Sequence, residues 1–170
     1  SMFAFNYVLM KYAGSQGVAA FTILGFAVYG FSMITLGFGQ GIIPLVSILW
    51  GADEKRAAME IRVITNKIVF ASGVFFALIF GVFGNSYASI FGSGETVSAM
   101  VLSGFRIYAV TFMTMGFNVI ASMYFSGCGD ALSSAIISAL RGLVLLLLFV
   151  FILPALWGMM GIWLIAPVTE

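Results

Sequence analysis

Five polar side chains recur at helical spacing in an otherwise apolar stretch of this 170-residue chain: Tyr108, Thr111, Thr114, Asn118 and Ser122. Steps of three and four residues put them on one face of a helix. Hydroxyls and an amide on such a face either bond across to neighbouring helices or line a wet cavity that accepts a polar ligand. The residues alone leave both readings open. Asn118 is the sharpest candidate for cavity lining, because an amide in mid-helix must find a partner or water. An earlier stretch repeats the pattern with Thr22, Gly25, Tyr29 and Ser32, and Tyr29 joins the candidates. A third carries Asn66, Gly73, Ala77, Gly81 and Gly84, a face small enough to let two backbones approach closely.

Gly37, Gly39, Gly41 and Pro44 interrupt an apolar run together with Gln40. Such residues suit helices packed around a polar path better than a lipid-facing anchor. Proline removes a backbone hydrogen bond, so the run is expected to kink here. Gln40 lies one turn before Pro44. It can bond a ligand or a neighbouring helix, or satisfy carbonyls that the proline frees. Acids are scarce away from the connections. Glu170 alone falls within an apolar segment, which makes it a candidate for coupling to an ion, or else a helix-end residue at the membrane interface. Met113, Met115, Met123, Phe112, Phe117 and Phe125 offer an adaptable apolar surface, or else core and lipid contacts.

Catalytic chemistry has little to work with. The chain holds no histidine, which excludes histidine bases and histidine metal ligands from this piece. One cysteine, Cys128, excludes an internal disulfide. Gly127-Cys128-Gly129-Asp130 lacks the lysine and strand context of a phosphate loop, and Phe91-Gly92-Ser93-Gly94 is not a nucleophile elbow. No catalytic residue, metal site or enzyme activity is expected. Seven basic and six acidic residues make no field for nucleic acid.

The elements that position these residues follow from composition. The chain is 62% hydrophobic and 8% charged, whereas soluble domains carry about 25% charged residues. Its solvent is therefore lipid. Four runs, 18–49, 63–83, 105–125 and 133–153, reach the roughly 20 residues that a spanning helix needs. The pieces 2–13 and 156–170 would rise only about 18 and 22 Å, short of a core about 30 Å thick. The fold class expected is an all-α polytopic bundle, with about four full spans flanked by two truncated ones, in a piece of a longer protein. The first full run is long for one crossing, so it is expected to bend at Gly37 to Pro44 and continue past the membrane surface. Lys55, Arg56, Arg62 and Lys67 cluster after the first full span, with Arg141 counted on the same side. That bias points the first and third connections toward the cytoplasm. Lys11 and Arg106 weaken the count without reversing it, and Arg106 is expected to snorkel to the outer interface. Glu95 is expected in the first turn of a helix, where a carboxylate meets the positive dipole end.

With these residues in order, the chain resembles the second half of a multidrug and toxic compound extrusion (MATE) transporter. The matching pieces are Gly14-Ser-Gln-Gly-Val-Ala-Ala20, Gly37-Phe-Gly-Gln-Gly-Ile-Ile-Pro44, Gly51-Ala52 with its charged turn, Tyr124-Phe-Ser-Gly-Cys-Gly-Asp130 and Gly161-Ile-Trp-Leu-Ile-Ala-Pro167 leading to Glu170. Together they cover nearly the whole chain. The resemblance implies twelve helices in two six-helix lobes. Residues 1–13 would end helix seven, the four full spans would be helices eight to eleven, and 156–170 would begin helix twelve. It implies a multi-pass protein of a bacterial or archaeal plasma membrane that exports organic, often cationic compounds in exchange for Na⁺ or H⁺ by alternating access. No cofactor beyond the coupling ion is implied. The partners would be the substrate, the bilayer and the N-terminal lobe. One branch of the family carries an acid midway along the third full span, where Met115 stands here. Coupling is therefore expected to rest mainly on the N-terminal lobe. The alternatives are a lipid-linked oligosaccharide flippase of the same superfamily, with only Arg106 and Arg141 to make its cavity cationic, and a non-transporting scaffold subunit.

Overall fold

In the computed structural model, the backbone of residues 2–170 and the side chains of 7–12 and 14–170 are described. Ser1, counted in the first expected segment, lies outside them. The chain is helical almost throughout. Helix α1 covers Met2–Gly51, α2 Lys55–Ile90, α3 Glu95–Gly127 and α4 Ala131–Ala139; a π-helical stretch, Leu140–Leu145, leads into α5, Leu146–Thr169. Two glycines divide the first and last of these. Gly14 takes φ 61° and ψ −166°, and Gly158 takes φ 56° and ψ −130°. A residue with a Cβ is strained at both positions, and glycine is not. The second break falls just beyond the expected span 133–153, near the start of the piece 156–170. There the chain doubles back so tightly that Gly161 lies against the Leu153 carbonyl, and a Cβ on it would stand 2.8 Å from the Pro154 nitrogen.

Four stretches are long and apolar enough to cross a membrane: Gly14–Gly51, Lys55–Ile90, Glu95–Gly127 and Ala131–Thr169. The first three run longer than their sequence-based bounds, because polar residues beside the apolar runs continue the helices; the fourth is longer because it includes the segment beyond the reversal at Gly158. Glu95 opens α3, in the first-turn position expected of it. Asp130 caps α4. It accepts hydrogen bonds from the Ser133 amide at 3.1 Å and the Ser133 hydroxyl at 2.6 Å, which hold its carboxyl below the usual carboxylate range. Through Gly37, Gly39, Gly41 and Pro44 the α1 backbone keeps helical dihedrals; its departure among the described residues is at Gly14.

The long helices run up and down. At one end the Ser47 hydroxyl donates to the Gly127 carbonyl at 2.9 Å, Trp50 meets Tyr124 edge-on at 6.5 Å and the Arg62 guanidinium lies 5.1 Å from the Tyr124 ring centre. The α1–α2 and α3–α4 connections therefore share that end. At the other end Phe91, in the α2–α3 connection, stacks on Phe26 at 5.8 Å.

Backbone proximity explains why three of these helices pack as one body. A Cβ on Gly73 would collide with the Phe112 carbonyl, and one on Gly116 with the Val69 side chain, so α2 and α3 touch almost without side chains between them. Gly104 is closed by Leu24 and Trp163, Gly39 by Met123 and Gly127 by Val46. An aromatic wedge fills the remaining space: Phe80 stacks on Phe105 at 4.6 Å, and Phe31 meets Phe112 edge-on at 5.3 Å. The outer face of α2 is the reverse. Phe75, Leu78 and Val82, one helical stripe, are 60%, 63% and 71% exposed. In water such a patch would not persist on a monomer; in lipid it is the surface that the bilayer requires.

Candidate functional site

Three helical segments bring one ion pair into the bundle. Glu170 ends the stretch that starts after Gly158, about 18 Å along at 1.5 Å per residue. Arg141 lies in the π-helical stretch, about 16 Å from the Asp130 cap by the same rise. Both sit far from either connection, within a stretch long and apolar enough to cross a membrane or at its end. The Arg141 Nε stands 3.0 Å from the Glu170 Oε1. From α3, the Asn118 amide nitrogen donates to the Glu170 main-chain carbonyl and lies 3.3 Å from its Oε2. Ionised groups in such a stretch persist when paired and hydrogen-bonded. Glu170 has both: its side chain is 9% exposed and Arg141's is 26%.

Each member of the pair lines a different cavity. One, of about 320 Å³, is lined by Phe21, Leu24, Tyr29, Ser32, Tyr108 and Thr169 and has Glu170 in its wall. The other, of about 200 Å³, is lined by Leu36, Val119, Ser122, Ser138 and Arg141. The larger is mostly apolar and aromatic, with a carboxylate and a few hydroxyls at its edge. That lining suits an amphipathic molecule carrying a positive group, which aromatic faces and a carboxylate both attract.

The polar face of α3 divides between these environments. Tyr108 is buried at the larger cavity, with its ring edge-on to Trp163 at 6.2 Å. Asn118 holds Glu170 as described. Ser122 is locked at 2.9 Å to both Ser134 and Ser138, joining α3 to α4. Thr114 donates to the Val110 carbonyl within its own helix at 3.0 Å. The Thr111 hydroxyl is buried with no protein partner among the described residues. From α1, Gly25, Tyr29 and Ser32 line the larger cavity, whereas Thr22 bonds back to the Val18 carbonyl.

Gln40 is exposed and joins neither group. Gly37 and Gly41 lie on an open apolar groove with Met33 and Leu45, whereas Gly39 is buried against Met123. Phe112 and Met115 belong to the core. The charge count considered only the side on which Arg141 lies and did not anticipate that it pairs with Glu170. Its spacing from Ser134 and Ser138, which share its helix face, was the available signal; the partner lay across the break between the runs 133–153 and 156–170.

A lobe of closely packed spanning helices around a partly polar interior is the architecture of a multi-pass membrane protein. The MatE family model matches residues 1–157, and the chain belongs to this family. It is 22% identical over 157 residues to the multidrug export protein MepA of Staphylococcus saprophyticus subsp. saprophyticus, a match covering 92% of this chain and 34% of that protein. A solved structure of a multidrug resistance MATE family transporter of the MOP superfamily, in its outward-facing conformation, superposes with a TM-score of 0.90 at 22% identity. That match covers 99% of this chain and 38% of the solved one. The chain thus spans little more than a third of the length of these two proteins. The likeness in structure establishes the lobe's fold, and the family match establishes its kinship.

Proposed function

We propose that this chain forms the C-terminal lobe of a secondary antiporter in a bacterial or archaeal plasma membrane. It exports organic, often cationic compounds in exchange for Na⁺ or H⁺, and alternating access comes from rocking against an N-terminal lobe. The observation that carries this reading is the cavity of about 320 Å³ with Glu170 in its wall. Family membership supports it. Tyr29, Tyr108 and Ser32 line the substrate path; Asn118 and Glu170 form its polar end. Arg141 and Asn118 already engage both Glu170 oxygens, which favours a coupling site mainly in the N-terminal lobe. The pairing of Arg141 also favours an exporter over a flippase, whose cavity would need free positive charge.

The test is dye efflux by the full-length protein in everted vesicles under imposed Na⁺ and H⁺ gradients. Efflux driven by one gradient supports the reading; no gradient-driven movement of any organic cation overturns it. Within it, Asn118→Ala should impair export while cation-driven conformational change survives. Loss of both would leave Asn118 a structural residue only.

A further inference from the structure

Glu170 faces two ways. It lies in the wall of the larger cavity, with Tyr29, Phe21 and Tyr108, and its carboxylate is held by Arg141, which does not line that cavity. A free carboxylate within a membrane would be costly, so an arginine that neutralises it has a clear physical use. Arg141 is the less enclosed partner, 26% exposed against 9% for Glu170, and meets it through Nε. Arg141 also lines the second cavity, next to the Ser122 and Ser138 hydroxyls, and so has space on the side away from Glu170. It lies in the π-helical stretch Leu140–Leu145, a wider turn of a kind often found at functional sites.

Building on the proposed function, we infer that Arg141 is a built-in competitor for the carboxylate: an organic cation entering the larger cavity displaces the guanidinium from Glu170, and Arg141 retakes it as the cation leaves. Arg141 is thus a specificity-determining residue that never touches the substrate. Its competition weakens cation binding enough for release and keeps Glu170 neutralised when the cavity is empty. A neutral molecule of the same shape gains nothing from Glu170 and leaves the pair intact.

Equilibrium binding of tetraphenylphosphonium to the purified full-length protein tests this, with a neutral, similarly shaped aromatic compound as comparison. Arg141→Gln removes the competitor and should tighten tetraphenylphosphonium binding about tenfold, about 1.4 kcal/mol, while slowing its export. Glu170→Gln should weaken binding by a similar factor. The double variant, which leaves no bare carboxylate to disturb folding, should bind like Glu170→Gln alone, and Arg141→Lys like the wild type. Affinity for the neutral compound should not change. Weaker binding in Arg141→Gln, or equal binding in all variants, overturns the inference and leaves the transporter reading standing. Failure of the wild type to bind any organic cation overturns both.

Discussion

The Arg141 Nε lies 3.0 Å from a carboxylate oxygen of Glu170, across the turn at Gly158 that folds the last helical segment back into the bundle. Glu170 is the more enclosed of the two, 9% exposed against 26%. Removing one member of a buried pair strands the other, at about 3–5 kcal/mol. Arg141→Ala strands the more enclosed group and should lower the unfolding temperature in detergent further than Glu170→Ala does. The double replacement Arg141→Met with Glu170→Leu should come within about 1 kcal/mol of the wild type, since it removes both charges and keeps the volume. Equal losses for all three variants would contradict this.

The α2–α3 seam predicts a second contrast. A methyl on Gly73 meets the Phe112 carbonyl, so Gly73→Ala must push two backbones apart and should destabilise by about 1–3 kcal/mol. Gly81 lies on the same helix with nothing near it. There Gly81→Ala should stabilise slightly, by up to about 1 kcal/mol, through helix propensity alone. Thermal unfolding of the two variants side by side checks the sign of each.

Asp130 makes the α4 cap dependent on pH. Its carboxyl titrates below its ordinary value because Ser133 donates two hydrogen bonds to the charged form. A depressed folded-state value means that the contribution is present above the unfolded value, about 3.9, and is lost as pH falls through the lower folded one. Hydrogen exchange at the Ser133 amide should therefore show less protection in acid than the neutral-pH opening equilibrium predicts. In Asp130→Asn, whose amide oxygen caps without titrating, that dependence should vanish.

Thr111 separates packing from polarity. Its hydroxyl is buried beside the core with no protein partner among the described residues. Thr111→Val keeps the shape and removes the unmatched group, so stability should hold or rise by about 1 kcal/mol. A clear loss in thermal unfolding would show that the hydroxyl is bonded in the membrane.

Much of this architecture could be read from the residues, and the reasons differ by element. Composition and run length identified four spans because lipid demands continuous apolar helix. The periodic polar face of α3 marked Tyr108 and Asn118, both of which lie at the larger cavity or its carboxylate. Glu170 was conspicuous as the acid within an apolar segment. Its pairing with Arg141 was not legible, because spacing along a chain says nothing about which helices meet after a reversal. The same limit hid the aromatic wedge, whose members come from three helices. Gln40 and Pro44 are exceptions in an apolar run. Yet the backbone carries helical dihedrals through both and breaks at Gly14, where a positive φ needs no side-chain signal beyond glycine itself.

The central claim is that the inward seam of α1 and α3 borders a water-accessible path while the outer face of α2 meets lipid. Cysteine accessibility tests it most directly, in the full-length protein in native vesicles with Cys128 replaced by serine. Tyr29→Cys should react with a hydrophilic maleimide, and tetraphenylphosphonium should protect it. Phe75→Cys, in the stripe with Leu78 and Val82, should stay unlabelled under both conditions. Labelling at Phe75→Cys with silence at Tyr29→Cys would contradict the account.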